Sequence, residues 1–449
     1  MSSNLSIYDI ALLAVKKAIQ SGANEAEAFV SKNRNISVEI NNNRVTGSYT
    51  VEEVGIGLRV VVGKKTGFAS SNKLDIASID KVVDTALSIA KASKEDPYWP
   101  GFPIASKYDV PEGIYSPDLA RVSEDTIIEN AVDLLDEFLV DKRIVVVNAS
   151  ISVSKASVAV ANSNGLTNIE HSTYAVIDSE VLAREDGDVT PIVFDVAVSR
   201  VSFPNIDLFT ERLRDYAISS LKPVKIESGK MPVVFHQIAL NELLEYTLFD
   251  AISGDSVVRK RSFLANKEGQ QVFSEKITII DDGLLKQGWY TGIFDGEGVP
   301  MQKTVVIEKG VVKNFLFDHY WASRYGAEST GNASRLDYRS FVRISPTNLI
   351  LAPGDMSSQE ILSETRKGLF VLHVQGAHSS NPETGDFSVV ATPAWYIDNG
   401  VLKPVRGVML SGNIYEMLKN VEYIGKELDQ KGHLVAPYIR LENVNVIAK

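Results

Sequence analysis

The sequence predicts an α+β protein, with N-terminal α/β units built on antiparallel sheets and a β-rich C-terminal domain. Three observations lead there. Apolar residues recur at helical spacing in only a few segments, chiefly Ile7–Ile19, Asp75–Ala92, Ser123–Asp141 and Leu208–Leu221. The stretches between them alternate apolar and polar residues and end at Gly, Asn or Pro. Beyond Gly229, short strands divided by Gly, Asp and Pro outnumber helices.

The N-terminal segment places Ile7, Ile10, Ala11, Val15, Ala18 and Ile19 on one helical face, interrupted by Lys16 and Lys17. That pattern is an amphipathic helix, stopped at Ser21-Gly22, and not a signal peptide. Ala26–Ile40 alternates, Asn41–Asn43 is a turn, and Arg44–Thr50 and Val54–Val62 read as further strands. Gly63–Gly67 is a hairpin connection to Phe68–Ser70. Pro97, Pro100, Pro103, Pro111 and Pro117 then cluster, as an extended crossing would require. Ile144–Ser154, Ala156–Ala161, Thr167–Leu182 and Ile192–Phe203 read as strands of a second unit. Met231–Phe235 is a buried strand and Ile238–Ile252 one helix, with Leu240, Leu243, Leu244, Thr247, Leu248 and Ala251 on its apolar side. Further strands include Thr304–Lys309, Leu369–Val374, Ser388–Ile397 and Val401–Val408, with Asp398-Asn-Gly400 as a hairpin turn. The expected units are residues 1–105, 106–225 and 226–449.

The chain has 449 residues, a net charge of −11 and no cysteine. The acidic balance disfavours nucleic-acid binding, which needs a basic surface. The missing thiols exclude disulfides and cysteine-ligated metal, and the reading is of a cytoplasmic protein. No apolar run approaches the roughly 20 residues of a membrane span, so no membrane partner is expected.

Several strings carry more specific information. Val54-Gly-Ile-Gly-Leu-Arg-Val opens the run to Phe68. Ala251-Ile-Ser-Gly-Asp255 is followed by Arg261-Ser-Phe-Leu264, and then by Phe294-Asp-Gly-Glu-Gly-Val-Pro300. Ser329-Thr-Gly-Asn-Ala333 with Arg335, Thr384-Gly-Asp-Phe-Ser388 and Ser411-Gly-Asn413 complete the set. In this order, over nearly the whole chain, they resemble the TldD/PmbA family, once named modulators of DNA gyrase. The resemblance implies a two-subunit peptidase. Its TldD-type subunit bears zinc on a helix reading His-Glu-three residues-His, with a cysteine near the C-terminus. Its PmbA or TldE-type subunit lacks the metal residues and pairs with the first. Counted back from Gly254-Asp255 and Ser262, the first histidine position falls on Glu245, the glutamate on Tyr246 and the second histidine on Asp250. The resemblance is therefore to the PmbA/TldE-type subunit.

A peptidase zinc needs neutral imidazoles on one helix face and a carboxylate to activate water. Glu245 and Asp250 would lie roughly 140° apart on an ideal helix, and paired carboxylates suit Ca²⁺ or Mg²⁺ better than zinc. The simpler reading is that both are polar residues on the solvent or groove side of an amphipathic helix. His373, His378 and Asp386 meet only if their segment loops, and their spacing fits no standard metal motif. They are taken, with Asn332 and Arg335, as groove-lining candidates. No catalytic residue and no metal ligand is assigned. Asp281-Asp282 and Asp295 with Glu297 are each followed by glycine, which marks turns more often than acid–base pairs.

The function expected is that of a metal-free partner subunit of a heterodimeric TldD/TldE-like metallopeptidase acting on unfolded or short peptides. Zinc is expected in the partner and no cofactor in this chain. The rival is a non-enzymatic homodimeric peptide- or protein-binding module, and a homodimer is the alternative assembly when the chain is isolated.

Overall fold

A computed structural model describes residues 5–448 of the chain. Helix α1 (Ile7–Gln20) begins at Ser6, whose side chain and that of Asp9 cap each other's backbone N–H groups. Strands β1 (Glu25–Asn41) and β2 (Arg44–Val62) follow as one long hairpin. Its two-residue turn is Asn42-Asn43, both at positive φ (49° and 62°), a conformation asparagine tolerates. Strand β3 (Lys65–Ser71) folds back on the end of β2, and α2 (Ile76–Ala92) starts at the Asp75 cap. After the proline-rich crossing come α3 (Glu124–Leu139), β4 (Ile144–Asn162), β5 (Thr167–Glu185), a strand at Val193–Ser199 and α4 (Ile206–Ser219).

These strands make one antiparallel sheet in the order β3-β2-β1-β4-β5, with Val193–Ser199 on β5. Strand β1 pairs with β4 from Glu27–Asn162 to Asn41–Asn148, so the segments read as 1–105 and 106–225 share a sheet. One face of β1 serves two helix pairs. Ala26, Ala28 and Val30 lie under α1 and α2 with Ile10, Ala14, Ile79 and Ala86. Farther along, Ile36, Val38 and Ile40 lie under α3 with Ile127, Leu134 and Phe138. The opposite face is polar along its middle, where Asn33, Asn35 and Ser37 stand beside Ala156, Ser154 and Ser152 of β4.

The C-terminal half is organised around the strand Gly229–Phe235, parallel to Lys367–Val371 and antiparallel to Ile439–Ala448 in a nine-stranded sheet. The strand's alternation divides its burial. Val233 and Phe235 join the C-terminal core with Leu240, Leu244 and Ile439. Val234 faces the other way, with Phe370 and Trp395, onto Phe209, Leu213 and Ala217 of α4. A six-stranded second sheet carries Ile279–Asp282, Lys303–Glu308 and Leu349–Leu351. Among the described residues no helix is long and apolar enough to cross a membrane.

Four elements differ in extent from the sequence reading. Residues 44–62 and 144–162 are single strands, because the sheet outruns the helices that would give it an apolar face. Ser388–Ile397 is two strands, Asp386–Ala391 and Ala394–Asp398, parted at Thr392-Pro393, where proline supplies no ladder donor. The expected helix Ile238–Ile252 is broken into α5 (Gln237–Glu245) and α6 (Leu248–Ala251). Thr247 leaves helical geometry at φ −137° and ψ −79°, and its hydroxyl donates to the Leu243 carbonyl at 2.7 Å. A threonine hydroxyl bonded four residues back competes with the helix ladder.

Candidate functional site

The loops of the C-terminal half meet the polar face of the N-terminal sheet and leave a groove. Two adjoining hollows of about 200 Å³ and 750 Å³ share Tyr290, Ser334, Ser345 and His433 as walls. The smaller reaches Glu170 and Tyr174 of β5, and the larger runs past Arg335, Arg339 and Arg343 to Glu245 at the end of α5.

Each wall is held from behind. Asp281, at the end of its strand, accepts from Asn332 Nδ2 (2.7 Å), the Thr347 N–H (2.7 Å) and the Thr347 hydroxyl (2.9 Å). Burial still pushes its carboxyl up to about 6. Asp295 accepts the N–H groups of Glu297, Val299 and Ala333 at 2.9–3.0 Å, closing the loop Phe294–Pro300 on itself. The two acidic pairs of the sequence are thus loop-builders.

Arg200 is fully buried and donates to the carbonyls of Gly288 (3.1 Å), Thr291 (2.8 Å) and Ile114 (3.2 Å). Its guanidinium also lies 4.4 Å from the centre of the Tyr174 ring. It fixes the loop that presents Tyr290. The Tyr290 ring stacks on His433 at 3.8 Å between centroids. His433 Nδ1 lies 3.1 Å from the Thr347 carbonyl, which makes Nδ1 the donor and leaves Nε2 as a bare acceptor. Burial lowers the His433 pKa, so the ring is neutral near pH 7.

An ionic quartet ties the groove to the sheet. Arg59 of β2 bonds Glu27 (3.0 Å) and Glu297 (2.8 Å), while Arg335 bonds Glu27 and donates to the Gly296 carbonyl at 2.8 Å. The glycines of Val54-Gly-Ile-Gly have a packing role beside it. A Cβ at Gly55 would sit 2.4 Å from the Tyr338 ring, and one at Gly57 2.1 Å from the Tyr338 carbonyl oxygen.

Asn332 and Arg335 both line the groove, each by a part of a residue otherwise engaged in these networks. Glu245 is exposed on the rim, and partial burial with the nearby Glu242 carboxylate raises its pKa. Tyr246 is exposed and meets the edge of the His378 ring, 6.4 Å between centroids. Asp250 is exposed on the separate helix α6. The expectation that His373, His378 and Asp386 gather in the groove is not met. His373 is buried, with Nδ1 3.0 Å from Glu242 and Nε2 2.7 Å from the Phe194 carbonyl. Asp386 is exposed and accepts from Thr384 (2.7 Å) and Asn413 (2.9 Å).

Sequence reasoning missed Glu170, Tyr174, Tyr290 and His433 as groove residues, and Arg200 as the buried support behind them. They come from separated segments, and no local spacing marks them. Among the described residues, no group of three or more His, Cys, Asp or Glu side chains is placed to hold a metal ion. The donors at 245, 246 and 250 are carboxylates and a phenol on two helices, a set that does not fit zinc.

Residues 26–90 match the PmbA/TldA metallopeptidase domain 1, and residues 228–448 match the PmbA/TldA metallopeptidase C-terminal domain. An uncharacterized protein of Methanocaldococcus jannaschii is 34% identical, covering 92% of this chain and 94% of its own length. Metalloprotease PmbA of Escherichia coli O157:H7 is 28% identical, covering 94% and 92%. The crystal structure of TldE from Thermococcus kodakarensis superposes with a TM-score of 0.92 at 29% identity, covering 97% of this chain and 99% of that one. The chain belongs to the PmbA/TldD metallopeptidase family.

Proposed function

We propose that this chain is the metal-free, PmbA/TldE-type subunit of a heterodimeric cytoplasmic metallopeptidase whose zinc sits in a TldD-like partner. The observation that carries the reading is the rim of the groove at Glu245. There, positions that would bear the family's two histidines hold exposed carboxylates on two helices. The likeness to a protein named TldE supports the same assignment. The role assigned to the groove is to hold peptide beside the partner's metal. Its walls offer hydroxyls of Ser334 and Ser345, the bare Nε2 of His433 and the guanidinium groups of Arg339 and Arg343. Such groups bind an extended backbone with little demand on its side chains, which suits unfolded or short peptides.

The test is to assay the purified chain alone, a zinc-bearing family chain alone, and the two mixed. Peptide cleavage is expected only in the mixture, with zinc bound to the partner. Full-rate cleavage by this chain alone, after stripping trace metal, overturns the reading.

A further inference from the structure

Strand β5 brings one carboxylate into the groove. Glu170, Ser172 and Tyr174 alternate onto the polar face of the N-terminal sheet, opposite Val158, Ala156 and Ser154 of β4. Glu170 and Tyr174 end in the wall of the smaller hollow, the one of about 200 Å³. Of the residues lining it, Glu170 alone carries a charge, since His433 is neutral. Gly292 makes room for this carboxylate: a Cβ there would stand 3.0 Å from Glu170 Oε2. Glu170 Oε2 accepts the Ile293 N–H. Oε1 has no hydrogen-bond donor among the described residues and is open to the hollow. Arg200 is the cation whose field reaches Glu170, but its guanidinium is fully buried and bonded to three carbonyls, with no ion pair to Glu170. A carboxylate drawn out of water with one N–H in return is short of partners, and burial raises its pKa.

The other walls point the same way. The Thr291 hydroxyl donates to the Leu285 carbonyl (2.6 Å) and the Thr347 hydroxyl to Asp281 (2.9 Å). Asn332 Nδ2 donates to Asp281 (2.7 Å) and to the Ser345 carbonyl (3.0 Å). These donors are turned inward onto the protein. Glu170 Oε1 and the bare Nε2 of His433 remain as acceptors in the walls. Tyr174 and Tyr290 add aromatic rings, whose faces attract cations.

We propose that the smaller hollow is a subsite for a primary ammonium group of the peptide, with Glu170 as its counter-ion. The proposal rests on the reading that the groove holds peptide. An ammonium is a compact charge with three donors, which one carboxylate oxygen, one imidazole nitrogen and an aromatic face can satisfy. The five coplanar donors of a guanidinium outnumber those acceptors. In the adjoining hollow Arg335, Arg339 and Arg343 outnumber Glu245, so the field along the groove sends a cation to Glu170. Two parts of a peptide carry this chemistry, the α-amino end and a lysine side chain.

Two sets of probes separate the subsite from the peptide reading. In the first, n-butylammonium, n-butanol and butyrate are offered to the full chain, with saturation-transfer NMR as the readout. Butylammonium should be bound in preference to both. Glu170→Gln, which keeps an acceptor for the Ile293 N–H, should abolish that preference. In the second, three alanine–glycine peptides are offered to the chain mixed with a zinc-bearing family chain: one with a free amino end, its N-acetyl form, and the N-acetyl form with one lysine. The free-amino or the lysine peptide should bind about tenfold more tightly than the neutral one, and Glu170→Gln should remove the difference. A gain for the first assigns the subsite to the amino end, and a gain for the second assigns it to the side chain. Butylammonium bound no better than butanol, or a preference that survives Glu170→Gln, overturns the subsite even if every peptide is bound and cleaved. Peptides that bind without regard to their ammonium groups overturn it too. A preference for butylammonium with no peptide bound would instead overturn the peptide reading and retain the ammonium site.

Discussion

Gly57 shows how tightly single residues set the groove. Its missing side chain admits the Tyr338 carbonyl, and any Cβ there would overlap it. Gly57→Ala should destabilise the chain by about 1–3 kcal/mol, as overpacking does, read by urea unfolding. Asp281 makes a prediction of a different kind. Its carboxyl sits at about 6 in the folded chain, against about 3.9 in an unfolded one. Between those values the folded state holds more protons, so stability falls as pH rises through the interval and is level above it. Relative to Asp281→Asn, the wild-type chain should lose about 2–3 kcal/mol between pH 4 and pH 7. Only the slope is compared, because the variant also loses an acceptor for Thr347 or Asn332. Parallel pH profiles of the two proteins would contradict the assignment.

Among the elements, the loop Leu285–Thr291 depends on Arg200, which holds two of its carbonyls and ties them to that of Ile114. Arg200→Met would leave the carbonyls of Gly288, Thr291 and Ile114 without that donor. A cost of about 3 kcal/mol is expected, with faster backbone hydrogen exchange confined first to residues 285–292. Unchanged exchange there would mean the loop is held by other contacts. The elements also show what the sequence makes legible. Helices α1 to α4 and strand β1 were readable because each buries one continuous face, and burial is what periodicity reports. Residues 44–53 of β2 are largely exposed on both faces, so no pattern joins them to Val54–Val62. The break at Thr247 was hidden because Leu243, Leu244, Leu248 and Ala251 keep helical spacing across it and remain buried. Asn332 and Arg335 were found through the strings around them. Tyr290 and His433 were not, since the stack they form joins segments far apart in sequence.

Over the whole molecule, the quartet Glu27, Arg59, Glu297 and Arg335 is the polar joint between the N-terminal sheet and the C-terminal loops. Such ions are stable buried only while paired. Glu27→Ala would strand Arg335, whose side chain is 2% exposed, and should cost about 3–5 kcal/mol. Earlier proteolytic nicking of residues 294–300 than of the core strands would follow. Replacing all four residues with apolar ones of similar volume should cost less than that single change, and a larger loss from the quadruple variant would refute the pairing account. A last consequence belongs to the bare middle of the sheet, at Asn33, Asn35, Ser37, Ser152 and Ser154. The Ser154 hydroxyl donates to Asn35 Oδ1 at 2.8 Å, and the side chains of this strip are only partly exposed, so whatever they bond they must first release from an existing partner at almost no net gain. A polypeptide drawn along that surface would find lubrication and no foothold, so any preference for one residue over another has to arise elsewhere along its path.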